Sequence, residues 1–174
     1  MGLREAYLYG MDGAPLGTWR VPSDHGRKLL WAQPAVDGHL IVVGYDYLLK
    51  TTVEGEVLWE AEPARYHHGF DEDDSGRIFA MVACEREVVR RDRTFRVQDD
   101  RIVVLSPGGE TLKSISVLDL VGLNRIPLEE LTAVPEKEPA LRQRLDELGV
   151  DHPGDVLHLN SLQVVDREVG FARE

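Results

Sequence analysis

Three segments of the chain repeat one pattern, and that repeat limits the fold more than any other feature. Residues 6–19 (AYLYGMDGAPLGTW), 47–60 (YLLKTTVEGEVLWE) and 102–115 (IVVLSPGGETLKSI) each hold a short apolar strand, a turn ending in glycine, then X-X-Leu and a second strand. The turn glycines are Gly13, Gly55 and Gly109, and the matching leucines are Leu16, Leu58 and Leu112. A tight hairpin needs a positive φ near its end, which glycine supplies at little steric cost. Between the hairpins, HLIVVGY (39–45) and GRIFAMVACE (76–85) are apolar runs suited to buried strands. A weaker strand precedes each position: LLWAQPAV (29–36), YHHGFDED (66–73) and LHLNSLQVVD (157–166). Each unit therefore runs weak strand, strong strand, hairpin strand, hairpin strand, in an up-and-down meander.

A multi-strand unit recurring every ~40–50 residues is the signature of propeller blades. The expected fold is all-β: a β-propeller domain over 1–174 with about three to four blades of four-stranded antiparallel meander. A β-sandwich also shows many short strands, but the repeated Gly-X-X-Leu hairpin is not one of its features. One stretch breaks the pattern. In 127–149 (PLEELTAVPEKEPALRQRLDELG), Pro139, the spacing of Leu141, Leu145 and Leu148, and Gly149 predict an inserted amphipathic helix over 139–148. It reads either as a packed surface insertion or as a lid. Closed propellers need about four blades or more, so the chain is expected to be part of a larger propeller. Its exposed edge blade would then favour homo-oligomers.

Composition narrows the partners. With 20 Lys+Arg against 31 Asp+Glu the formal charge is −11, which repels nucleic acid and anionic membranes. No run approaches the ~18 apolar residues of a membrane span. The opening MGLREAYLYGMDG lacks the apolar core of a signal peptide. Cys84 is the single cysteine, so no internal disulfide can form.

Blade geometry places chemistry on one rim. His67 and His68 start one inner strand; His158 and Asn160 start the next. The arginine-rich connection carrying Arg90, Arg91, Arg93 and Arg96 falls on the same face, as does the inserted helix. Imidazole, carboxamide and guanidinium donors suit an oxyanion such as a sulfuryl or phosphoryl group. Imidazole also serves as nucleophile or general acid near neutral pH. For His25, His39 and His152 an ordinary hydrogen-bonded role is expected. The Asp71-Glu72-Asp73-Asp74 run lacks EF-hand spacing and reads as a solvated turn. No zinc spacing, Walker loop, Gly-x-Gly-x-x-Gly or Gly-x-Ser-x-Gly is present, so neither metal nor cofactor is expected.

The run YHHGFDEDDSGRIFAMV (66–82), followed by GDVLHLNSLQVVD (154–166), resembles the bacterial arylsulfotransferase-like family. The likeness extends over roughly residues 39–170. It implies a propeller that moves a sulfuryl group from a phenolic sulfate ester to a phenol through a sulfated histidine, without a nucleotide donor. By motif, His68 and His158 would contact the sulfuryl oxygens and Asn160 would orient or donate to them. His67, Arg90 and Arg91 would bind the anionic aryl sulfate. Three departures stand out, one being that the Arg the family carries soon after His-x-Asn is expected past Glu174. Gly69 replaces the Asp common after the paired histidines, and the family's nucleophilic His lies on a later blade, so part of a site is expected here. The family is often exported. A non-catalytic propeller that uses its rim to bind a partner or an anion is the alternative. A quinone-dependent dehydrogenase is disfavoured, since no repeated Trp motif is present.

Overall fold

The computed structural model describes residues 3–22, 29–122, 159 and 161–164. Ten strands follow in order: β1 (Leu3–Tyr9), β2 (Pro15–Pro22), β3 (Leu29–Pro34), β4 (Leu40–Gly44), β5 (Leu48–Thr51), β6 (Val57–Glu60), β7 (Tyr66–Glu72), β8 (Ile78–Arg90), β9 (Arg93–Leu105) and β10 (Thr111–Ser116). A single short helix, α1 (Val117–Val121), closes the described run. The strands form a β1-β2 pair and two four-stranded sheets ordered β3-β4-β5-β6 and β7-β8-β9-β10. Both four-stranded sheets keep sequence order, as the meander reading requires. The helix expected at 139–148, within the 127–149 insertion, lies outside the described residues.

The turns explain the repeat. In 10–14, 52–56 and 106–110 the first N–H donates to the fifth carbonyl, and the glycine N–H donates back to the first carbonyl. Gly13, Gly55 and Gly109 have φ of 81°, 91° and 89°. This is a type I turn closed by a left-handed glycine, a standard three-residue hairpin loop. Two more turns, 35–39 and 73–77, share the same bonds, with Gly38 and Gly76 at the left-handed position. Side chains brace them: Asp37 accepts from the His39 N–H, and Ser106 from the Gly108 and Glu110 N–H groups. The repeated leucines are not core residues. Leu16, Leu58 and Leu112 are all exposed, so the conserved part of the pattern is the glycine turn.

The chain divides into two compact units: Met1–Val82 with Val103–Ser114 and Asn160–Glu174, and Ala83–Ile102 with Ile115–Leu159. In the first, β4 and β5 are buried along their length. Alternation sends Leu40 and Val42 to one face, where they meet Leu49, Tyr47, Trp19 and Val21. Ile41 and Val43 are equally buried on the other face. Burying each such side chain stabilises by about 1.5–3 kcal/mol. Lys50, also buried, extends its ammonium to Asp37 at 2.7 Å.

The second unit is more polar inside. The joint between β8 and β9 is only Arg91-Asp92, both with positive φ (49° and 60°), so this is a type I′ hairpin. Arg93 and Arg96, expected in a connecting loop, belong to β9. Asp99 and Asp100 are buried. The Ser116 hydroxyl donates to Asp99 at 2.9 Å while capping α1 through the Asp119 N–H at 3.1 Å. Arg86 bridges this cap to Asp119 at 2.8 Å and faces Asp99 at 3.6 Å. No helix among the described residues is long and apolar enough to cross a membrane.

Candidate functional site

The site is built on a bulge. β7 pairs with β8 at Tyr66↔Val82 and again at Phe70↔Ala80, so His67, His68 and Gly69 together oppose Met81. Extra residues in one strand bend it and redirect side chains. His68 takes φ 56°, and with Arg91 and Asp92 it makes up the described non-glycine residues in left-handed backbone. Such a residue costs on the order of 1–3 kcal/mol and persists where its surroundings impose it. The His67 and His68 rings meet edge to face, with centroids 5.1 Å apart. Both side chains are half-buried.

A second bulge adjoins the first. β3 pairs with β4 at Leu29↔Gly44 and Trp31↔Val43, leaving Leu30 extra. β3 and β7 are neighbours within the first unit. The indole of Trp31 lies against Gly69: a Cβ placed there would sit 3.6–3.7 Å from Cε2, Cδ2 and Nε1. Trp31 Nε1 donates to Gln33 Oε1 at 3.2 Å.

The acidic run after the histidines is a turn only from Asp73 onward, and of its members only Asp74 is exposed. Asp71 and Glu72 belong to β7, and each accepts a backbone N–H from elsewhere in the chain. Glu72 takes Val36 at 2.7 Å; Asp71 takes Val164 at 2.6 Å. Asp73 is buried and caps its own turn through the Ser75 N–H and hydroxyl and the Arg77 N–H, with the Arg77 guanidinium at 2.6 Å. Burial opposes its ionisation, but these donors outweigh it and hold the carboxyl down at about 2.

His158 and Asn160 lie outside the described residues, while Leu159 between them is described. Its N–H donates to the buried Asp100 at 2.8 Å, and Asp100 also accepts from Gln98 Nε2 at 3.2 Å. Arg90 ends β8 and Arg91 opens the hairpin turn, both in the second unit. Cys84, half-buried there, has its thiol pushed up by burial. The described residues contain no group of three or more His, Cys, Asp or Glu arranged to hold a metal.

Sequence reasoning named the histidines from residue type. It missed Trp31, Asp71 and Asp100. A Trp inside LLWAQP reads as strand core, and aspartates within short acidic runs carry no signal of the long-range amide that one of them accepts. No protein-family model, curated protein or solved structure matches the chain.

Proposed function

We propose that the two meander sheets are propeller blades and that the bulge in β7 supplies part of a sulfuryl-transfer site. The propeller reading rests on a seam that recurs. Arg20 of β2 donates its N–H to Val53 at 3.0 Å while its carbonyl lies against Gly55 of the next sheet's turn. Likewise Trp59 of β6 donates Nε1 to Pro107 at 2.9 Å while its ring lies on Gly109. Each outer strand thus docks on the following sheet's glycine turn, which is how successive blades would stack.

One observation carries the site reading. The Val164 N–H donates to Asp71, so Val164, four residues past Asn160 in the chain, meets the strand of His67 and His68. In the proposed chemistry a histidine nitrogen attacks sulfur, the S–O bond to the phenolic oxygen breaks, and the phenolate takes up a proton. The acceptor phenol then gives up its proton, attacks the same sulfur and frees the histidine. His68 and His158 hold the sulfuryl oxygens, Asn160 donates to them, and His67 lines the anion's approach. Arg90 and Arg91 enter as cations that attract the substrate.

Release of 4-nitrophenol from 4-nitrophenyl sulfate in the presence of phenol tests this. The protein complete with the blade that carries the nucleophilic histidine is expected to turn over, and His68→Ala or His158→Ala to lose at least about a hundredfold in rate. Saturable binding with no release, unchanged in His68→Ala, would instead indicate a binding module.

A further inference from the structure

We infer that Trp31 is the platform for the aromatic ring of the substrate, and so the residue that selects aryl over alkyl sulfates. This rests on the sulfuryl-transfer reading for its catalytic consequence, and on geometry alone for the binding step. The three nearest indole atoms to the Gly69 Cβ position are almost equally distant, at 3.6, 3.7 and 3.7 Å. Two of them flank the bond shared by the rings, so the point lies over the indole face rather than at its edge. One face of Trp31 therefore looks onto Gly69, with room between them for no more than a methyl group. Trp31 is 51% exposed, an area that suits an open ring face away from Gly69.

An exposed tryptophan on a strand would normally be free to turn. Here Nε1 donates to Gln33 Oε1, which favours one orientation of the ring, and the bulge at Leu30 alters the direction in which it leaves β3. The result is a pre-positioned flat apolar surface beside the backbone of His68. An aryl ring stacked there gains offset contact with little loss of side-chain freedom.

Titration of the whole chain with 4-nitrophenyl sulfate and with methyl sulfate, read by tryptophan fluorescence, tests the platform. The nitroaryl ring quenches an indole on which it stacks. Wild type is expected to show saturable quenching by the aryl ester. Trp31→Phe should remove that quenching, leaving the signal of Trp19 and Trp59. By calorimetry Trp31→Ala should bind the aryl ester about three- to tenfold more weakly, with Trp31→Tyr close to wild type. Methyl sulfate affinity should be the same in all four proteins. In turnover, Trp31→Ala should raise KM for the aryl ester by that factor and leave kcat within about twofold. Trp31→Ala binding the aryl ester as tightly as wild type, or wild type showing no saturable quenching, overturns the inference. Saturable, Trp31-dependent quenching without any nitrophenol release would uphold the platform while defeating the sulfuryl-transfer reading.

Discussion

The two four-stranded sheets share a strand order and a turn type, yet they spend their residues differently. In β3–β6 the middle strands are short and buried along their whole length, and apolar apart from Lys50 and Thr51. In β7–β10 the middle strands run to 13 residues, and the centre of β9 buries Gln98, Asp99 and Asp100. That sheet also contains His68, Arg91 and Asp92 in left-handed backbone. The first sheet keeps its middle strands in ordinary extended backbone; the second has left-handed non-glycine residues and buried acids where its polar chemistry lies. Local violations of this kind mark function more often than scaffold.

The largest effect that sharpens this contrast should come from the first sheet. A Cβ at Gly44 would fall 1.9 Å from the ring of Tyr47, which is itself buried. Gly44→Ala must displace a core aromatic and is expected to cost about 3 kcal/mol. Gly38→Ala meets nothing within 4 Å and bears only its left-handed φ of 84°, a cost of about 1 kcal/mol. Urea unfolding of the two variants measures the gap. Equal losses would mean that close packing of Tyr47 on the backbone is not what holds this sheet together.

The same contrast explains what could be read from the sequence. The meander order was legible because glycine turns and apolar runs are local signals, and β3–β6 consists of little else. The pairing at Tyr66↔Val82 was not legible, because a bulge depends on the register of two strands, not on either one's composition. His67 and His68 could be named as candidates from their side chains alone. Trp31 could not, since its orientation depends on the bulge at Leu30 and on a contact with Gly69 in another strand. The length of β8 and β9 was hidden by arginines that resemble a loop, yet Arg93 lies over the Phe95 ring at 5.1 Å as a strand neighbour.

Acid should act on both sheets through their turns, with an intermediate effect. Asp37 and Asp73 each cap a β-hairpin, and each carboxyl is held at about 2 although burial opposes its ionisation. The opposing donors are Lys50 and His39 for Asp37, and Ser75 and Arg77 for Asp73. An unfolded aspartate titrates near 3.9. A folded value below the unfolded one stabilises above about pH 4, and that contribution is lost as pH falls through about 2. Asp73, being buried, should contribute on the order of 1–2 kcal/mol. Asp37 should contribute less, because its side chain is 46% exposed and screened by water. Unfolding midpoints measured from pH 5 to pH 2 should fall more steeply for wild type than for Asp73→Asn. Parallel curves would show that the Asp73 cap contributes nothing in this range.

The smallest effect tests whether the irregularity at the β8–β9 tip is tolerated or used. Type I′ turns favour Asn-Gly because both central residues need positive φ. Arg91 and Asp92 fill those places at 49° and 60°, so Arg91→Asn and Asp92→Gly should each raise stability, by about 0.5–1 kcal/mol. Both relieve the same backbone condition, but they change charge in opposite directions. If Arg91 attracts the anionic substrate, Arg91→Asn will gain stability and weaken 4-nitrophenyl sulfate binding, while Asp92→Gly gains stability without that loss. If the two variants bind alike, Arg91 is a poor turn residue with no bearing on the ligand. If Arg91→Asn lowers the unfolding midpoint instead, the left-handed arginine is stabilised by its surroundings, and the second sheet is less strained at its tip than its dihedral angles indicate.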